Sequence, residues 1–80
     1  MIYTVYILRS TKDGKRYIGM TKDMKRRLVE HSLGRVKSTK NRRPLKLAYV
    51  EEFSTKSEAG RREKFFKTGK GREWLSDQGA

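Results

Sequence analysis

The hydrophobic pattern at the start of the chain predicts a β-hairpin. Residues 2–9 are rich in β-branched and aromatic side chains, and residues 16–20 repeat that character. Asp13 and Gly14 lie between these two runs and form a turn signal. We therefore expect two antiparallel strands joined by a loop of roughly four to six residues.

The next segment changes to a helical pattern. Thr21 is suited to be an N-cap, and Lys22–Leu33 carries Met24 and Leu28 at helical spacing on one face. Gly34 follows the last periodic residue, as glycine does at the end of many helices. This pattern predicts a first helix that stops at the glycine.

The second half of the chain repeats the strand and helix signals after a polar, basic stretch. Residues 35–43 predict a surface loop, whereas Leu45–Phe53 alternates apolar with polar or small residues and predicts a third strand. Thr55 and Glu58 have the spacing of a capping box. A second helix is therefore expected to start there and to run to about Lys67.

The last fifteen or so residues complete the expected fold. Gly69 and Gly71 are expected to break the second helix, and Arg72–Asp77 to form a short final helix whose Trp74 and Leu75 dock on the core. The resulting order, ββαβα plus a short C-terminal helix, predicts an α+β fold with a small three-stranded antiparallel sheet flanked by helices. We expect the whole 80-residue chain to form one domain.

Composition narrows the chemistry that the chain can perform. It has no cysteine and one histidine, which excludes disulfide bridges, a structural zinc site and cysteine–histidine hydrolysis. Its longest apolar run, from Val5 to Leu8, is far shorter than a membrane span, and no secretory leader is recognisable. We expect a cytoplasmic protein that does not associate with membranes.

The charge of the chain indicates a polyanionic partner. Lysine and arginine number 21 against nine acidic residues, which gives a formal net charge of +12. Residues 31–47 contain six basic side chains and no acidic one, and an anion would relieve the self-repulsion of such a run. Nucleic acid is the leading candidate. The residues of this run that we expect to contact its phosphates are Arg35, Lys37, Lys40, Arg42 and Arg43.

The side chains that remain available for catalysis suit phosphoryl transfer. Cationic groups stabilise the charge of a phosphorane, and a single carboxylate can hold a hydrated Mg²⁺ together with substrate phosphate oxygens. On spacing alone, tyrosines in strands are more simply interpreted as packing residues, and charged pairs one helical turn apart as surface ion pairs. Three pairs have a suitable spacing: Tyr6 and Tyr17 on neighbouring strands, Arg27 and His31 one helical turn apart, and Glu63 and Lys67 one helical turn apart.

Taken in order, these residues resemble the GIY-YIG endonuclease domain. Thr4-Val5-Tyr6 stands for the first triplet and Tyr17-Ile18-Gly19 for the second, followed by Arg27–His31 and Glu63–Lys67. The resemblance extends from about Ile2 to Leu75 and is greatest to the small standalone bacterial members, which are related to the N-terminal nuclease domain of the UvrC excision-repair subunit. It implies the GIY-YIG fold and hydrolysis of phosphodiester bonds in DNA.

The resemblance also implies roles for the catalytic residues. Either Tyr6 or Tyr17 takes the proton from the attacking water, and His31 assists that transfer. Arg27 stabilises the charge of the phosphorane. Glu63 is the sole carboxylate that binds the metal ion, which is a single Mg²⁺ or Mn²⁺.

Three further residues are implied to bind substrate. Gly19 allows a close approach to its strand, and Lys67 is a positive partner near the site. Met20 stands where the excision nucleases carry a lysine, and Lys22 or Lys15 is the candidate to supply that charge. The basic run lacks interleaved aromatic residues and a recognition helix, so we expect contacts to the DNA backbone with little sequence preference.

Two alternatives to an active endonuclease of DNA repair or recombination remain open. One is a nucleic-acid-binding module of the same fold with weak or no catalysis. The other is a subunit whose specificity resides in a partner protein.

Overall fold

The three predicted strands form one antiparallel sheet. A computed structural model describes all residues, 1–80. The strand order is β2-β1-β3, so the first strand is central and the other two are edges. The strands are β1 (Tyr3–Ser10), β2 (Arg16–Thr21) and β3 (Leu45–Phe53), and the α-helices are α1 (Met24–Ser32), α2 (Lys56–Phe66) and α3 (Gly69–Asp77). The predicted α+β class and element order are confirmed.

The two faces of the central strand have different surroundings. Val5 and Ile7 belong to the main apolar core, which α2 and α3 complete with Ala59, Phe66 and Leu75. Because successive strand residues point to opposite faces, Tyr6 and its neighbours lie on the other side of the sheet. That side carries the polar residues of the candidate site described below.

The first helix begins later than expected. Its N-cap is Asp23, whose side chain accepts a hydrogen bond from the backbone N–H of Arg26 at 3.0 Å. Thr21, the predicted cap, is instead the last residue of β2, and its hydroxyl accepts from the N–H of Asp23 at 3.1 Å. The prediction of Thr21 as N-cap was therefore wrong. The stop at Gly34 is confirmed, because its φ of 75° is the left-handed conformation that favours glycine.

The segment that follows α1 is more ordered than a simple surface loop. Lys40–Arg42 forms a short 3₁₀ helix, and Val36 and Thr39 are buried. The Arg43 guanidinium donates to the carbonyl of Ser32, at the end of α1, at 3.2 Å. This arginine thereby ties the segment to the helix that precedes it.

The glycines after α2 begin a helix as well as ending one. Thr68 is the N-cap of α3 and accepts from the N–H of Gly71 at 3.1 Å. The third helix is thus longer than predicted, because Gly69 and Gly71 form its first turn. The predicted docking of its apolar residues is confirmed, since Leu75 is fully buried and Trp74 packs on the core. None of the helices has the length and apolar character needed to cross a membrane.

Candidate active site

Four of the five predicted catalytic residues lie together on the α1 side of the sheet. Tyr6, on the central strand, is fully buried, and its hydroxyl oxygen lies 3.0 Å from Nε2 of His31. Nε of Arg27 donates to the same oxygen at 3.2 Å. The ring of Tyr17, on β2, lies 6.2 Å from that of Tyr6 and 5.1 Å from that of His31, measured between centroids. We call these four residues the tyrosine cluster.

Gly19 makes room for this cluster. It pairs with Tyr6 across the hairpin, and a Cβ at this position would lie 2.5 Å from the tyrosine hydroxyl oxygen. The close approach that the sequence suggested for a substrate is thus occupied by a side chain of the protein itself. Any residue larger than glycine would push the Tyr6 hydroxyl away from His31 and Arg27.

His31 is held from both sides of its ring. Its Nδ1 lies 2.8 Å from Oγ1 of Thr39, which is fully buried in the segment after α1. Arg27 in turn donates to Glu30 at 3.2 Å, so a carboxylate fixes the far side of its guanidinium. Hydrogen bonds therefore connect Tyr6, Arg27 and His31, as a preorganised site requires, and Tyr17 packs against this network through its ring.

The cluster holds its groups in defined charge states. Burial, followed by the nearby charge of Arg27, lowers the pKa of His31, which favours the neutral ring. Burial raises the pKa of Tyr6 above its ordinary value, although the hydrogen bond from Arg27 opposes this effect. The hydrogen bond with Tyr6 raises the pKa of Arg27, which stays cationic. The site thus combines a fixed positive charge with a neutral imidazole that can accept a proton.

Glu63 approaches the site from the other side of the β2 edge. It lies on α2 and shares a cleft of about 580 Å³ with Tyr17. Its side chain is about three-quarters buried, and its carboxylate pairs with Nζ of Lys67 at 3.4 Å. The other charged residues of this cleft are all basic: Arg9, Lys15, Arg16 and Arg72. We call it the Glu63 cleft, and Tyr17 is the residue that links it to the tyrosine cluster.

The Glu63 cleft offers one carboxylate to a metal ion, so it fits a cation that takes its other ligands from water and from the substrate. The protein contains no group of three or more His, Cys, Asp or Glu side chains that could hold a metal ion. One carboxylate fits Mg²⁺ or Mn²⁺ only if water and phosphate oxygens supply the remaining ligands. The surrounding basic side chains would attract such a phosphate.

The predicted phosphate contacts fall into two groups. Arg42 and Arg43 have partners within the protein: Arg42 pairs with Asp13 at 3.6 Å, and Arg43 donates to the backbone of the α1 end. Arg35, Lys37 and Lys40 are exposed on the segment after α1 and make no ion pair. Lys22 lines a shallow depression with Arg26 and Arg27.

Sequence reasoning missed several residues of the site. Thr39 lies in a basic stretch without periodicity, so nothing marked it as buried. Arg9 and Arg16 could have been found, because the hairpin register places these two like charges directly opposite each other. Arg72 could not have been found from the sequence, because its place in the Glu63 cleft depends on how α3 packs.

Comparison with known proteins agrees with this geometry. Residues 2–75 match the model of a family described as the GIY-YIG catalytic domain. The chain belongs to the GIY-YIG family. It is therefore a member of a family of nucleases, as the order of its tyrosine, arginine and glutamate motifs predicted.

Its relatives include UPF0213 proteins that the chain matches over 67–78% of their length. A UPF0213 protein of Staphylococcus saprophyticus is 48% identical over 65 residues, which are 80% of this chain and 78% of that protein. A UPF0213 protein of Streptococcus pneumoniae is 45% identical over 67 residues, 82% of this chain and 67% of that protein. A solution NMR structure of a UPF0213 protein from Bacillus halodurans has a TM-score of 0.61 at 37% identity, covering 98% of this chain and 85% of that one.

Proposed function

We propose that this GIY-YIG protein is a divalent-metal-dependent endonuclease that hydrolyses phosphodiester bonds of DNA. The observation that carries the proposal is the position of Tyr17, which lines the Glu63 cleft and is also a member of the tyrosine cluster. A phosphate held in this cleft by its basic residues would face a carboxylate on one side and a tyrosine on the other.

Different residues of the protein have separate roles in the proposed hydrolysis. Water attacks the phosphorus and gives up a proton, while the bond from phosphorus to the leaving oxygen breaks and that oxygen takes a proton from solvent water. Tyr17 is only partly buried and reaches the cleft, so we assign it the contact with this water. Tyr6 is buried and connects the cluster to neutral His31, the group best suited to accept a proton. Arg27 supplies the fixed positive charge.

Glu63 would hold the Mg²⁺ or Mn²⁺ ion. When bound, the metal neutralises charge on the phosphate and polarises its oxygens. Lys67 lies next to the carboxylate and compensates its charge in the absence of the ion. An action in repair or recombination in the cytoplasm belongs to the same proposal, and a subunit whose specificity resides in a partner protein is the alternative form of it.

A plasmid-nicking assay tests the enzyme against the alternative of a binding module. In Mg²⁺ or Mn²⁺, we expect the wild-type protein to nick supercoiled DNA and Glu63→Gln to be slower by at least about 100-fold, the loss typical of a removed transition-state contact. Glu73→Gln is the matched control, because Glu73 is an exposed acid of α3 outside the Glu63 cleft. Equal rates for wild type and Glu63→Gln would reject the metal site. Binding of DNA without any nicking would support the non-catalytic module instead.

A further inference from the structure

A second depression adjoins the Glu63 cleft along the exposed side of α2. It has a volume of about 460 Å³ and includes Glu63 in its wall, so the two depressions share that residue. Its other lining residues all come from the same helix: Lys56, Ser57, Gly60, Arg61 and Lys64. We call it the α2 cleft. The two clefts together form a continuous surface that passes the proposed metal ligand.

This surface has a large excess of positive charge. Lys56, Arg61 and Lys64 are exposed, and none of them makes an ion pair. The Glu63 cleft adds five more basic side chains, and Glu63 is the only acid in either cleft. Lys56, Gly60 and Lys64 stand on successive turns of one helical face. A phosphate backbone is the ligand whose charge complements such a row.

Gly60 is an independent sign that something approaches the helix closely. It lies inside α2, where glycine is among the least favourable residues. A Cβ at this position would meet no atom within 4 Å, so the packing of the fold does not require a glycine. The missing side chain leaves the helix backbone bare at the floor of the α2 cleft. Close approach of the backbone to a ligand is one of the uses of glycine, and at this position neither a positive φ nor a packing contact accounts for the residue.

The basic segment after α1 is the competing surface for the same ligand. Three of its basic side chains are exposed and make no ion pair, but Arg42 and Arg43 are already engaged with Asp13 and with backbone carbonyls. A phosphate would have to compete with the contacts of these two arginines. The three basic side chains of the α2 cleft are equally free and, unlike that segment, they adjoin the proposed metal ligand.

We propose that the phosphate backbone of the DNA substrate runs along α2, over Gly60, from the α2 cleft into the Glu63 cleft. The identity of the ligand rests on the proposed function. An 11-residue helix is about 16 Å long, enough to lie beside several successive phosphates of one strand. The helix that carries the metal ligand thus also guides the strand to it.

Fluorescence anisotropy with a labelled DNA duplex in EDTA tests this path without cleavage. Three triple variants each replace three basic residues by Gln. The first changes Lys56, Arg61 and Lys64 in the α2 cleft, and the second changes Arg35, Lys37 and Lys40 in the basic segment. The third changes Lys25, Lys46 and Lys70, an exposed control set outside both surfaces. Affinity is measured across about 50–200 mM NaCl, because each phosphate contact contributes about 0.9 to the salt slope.

We expect the α2 triple to lower affinity at least about tenfold and to reduce the salt slope by about 2 to 3. The control set lowers affinity only through net charge, so its slope should change by less than about one. A slope change in the basic-segment triple that equals or exceeds that of the α2 triple would overturn the proposal. So would a control set that behaves like the α2 triple, or a wild-type protein that does not bind the duplex.

Gly60→Ala tests the close approach separately from charge. We expect it to raise the melting temperature by a few degrees, roughly, because alanine is the better helix former. At the same time it should weaken DNA binding at least about threefold, because the methyl group occupies the floor of the cleft. Unchanged affinity in this stabilised variant would contradict the path over Gly60. Loss of nicking with intact metal-free binding would count against the proposed enzyme only, and leave this path in place.

Discussion

The groups around His31 favour one of its two ring nitrogens as the site of the proton. Arg27 donates to the Tyr6 oxygen, and the same oxygen lies 3.0 Å from Nε2 of His31. A ring with its proton on Nδ1 can donate to Thr39 and accept the Tyr6 proton on Nε2. That tautomer also turns a lone pair, rather than an N–H, toward the guanidinium of Arg27. Both arguments favour the Nδ1–H form.

Substitution of Thr39 should therefore change the tautomer of His31. Because the chain contains one histidine, long-range proton–nitrogen NMR correlation spectra report that ring alone. We expect the Nδ1–H form in the wild type and in Thr39→Ser, which keeps the hydroxyl. In Thr39→Val the donor loses its acceptor, so the spectra should show a mixture or the Nε2–H form.

Two results would contradict this role for Thr39. One is an Nε2–H or doubly protonated ring in the wild type near pH 7. The other is an unchanged Nδ1–H form in a folded Thr39→Val protein. Far-UV circular dichroism of each variant shows whether the fold is retained, and the wild-type spectrum alone tests the assignment if the valine variant does not fold.

Individual site residues differed in how well the sequence revealed them. Tyr6, Tyr17, Arg27 and His31 were recognisable because strand pairing and helical spacing bring them together at short range. Thr39 contributes one hydroxyl from an irregular segment, and no periodicity marks such a residue. The arrangement of Glu63 depends on how α2 packs across the sheet edge, which is a property of tertiary structure.

At the scale of elements, the junction of α2 with α3 is set by one glycine. A Cβ on Gly71 would clash with the backbone carbonyl group of Phe65, so α3 can cross the end of α2 only without a side chain there. Gly69, two residues earlier in the same turn, has open space at the Cβ position. The two glycines therefore predict opposite effects of the same substitution.

Gly71→Ala should destabilise the protein, whereas Gly69→Ala should not. Overpacking against backbone costs about 1–3 kcal/mol, which corresponds to a fall in melting temperature of roughly 4–8 °C per kcal/mol. Gly69→Ala should instead stabilise the helix by about 0.5–1 kcal/mol. Thermal unfolding followed by circular dichroism measures both. Equal melting temperatures for the two variants would show that the crossing of α3 over α2 does not depend on the glycine.

The sequence predicted the elements better than their ends. All three strands and the capping box of Thr55 and Glu58 were recognisable, because they depend on local patterns and neighbouring backbone groups. The start of α1 was misplaced because Thr21 and Asp23 are both good caps, and the strand pairing of Thr21 with Thr4 decides between them. The start of α3 was misplaced because Gly71 is required by packing, which no helix propensity records.

At the scale of the whole molecule, positive charge exceeds what the fold can neutralise. Five of the 21 basic side chains form ion pairs with acidic ones. The remaining charges repel one another more strongly in the folded state than in the expanded unfolded chain. In the structure, the excess of positive charge is distributed over the α2 cleft, the Glu63 cleft and the segment after α1.

Salt should therefore stabilise this protein against heat. Raising NaCl from about 10 mM to about 100 mM shortens the screening length from about 30 Å to about 10 Å, which weakens repulsion across the molecule more than the short ion pairs. We expect the melting temperature to rise by roughly 4–8 °C, equivalent to about 1 kcal/mol. Replacement of Lys25, Lys46 and Lys70 by Gln should raise the low-salt value and flatten its rise with salt. A melting temperature that falls with salt would mean that the five ion pairs outweigh the net repulsion. The positive surface would then not destabilise the fold, and binding of a phosphate backbone would not relieve any repulsion.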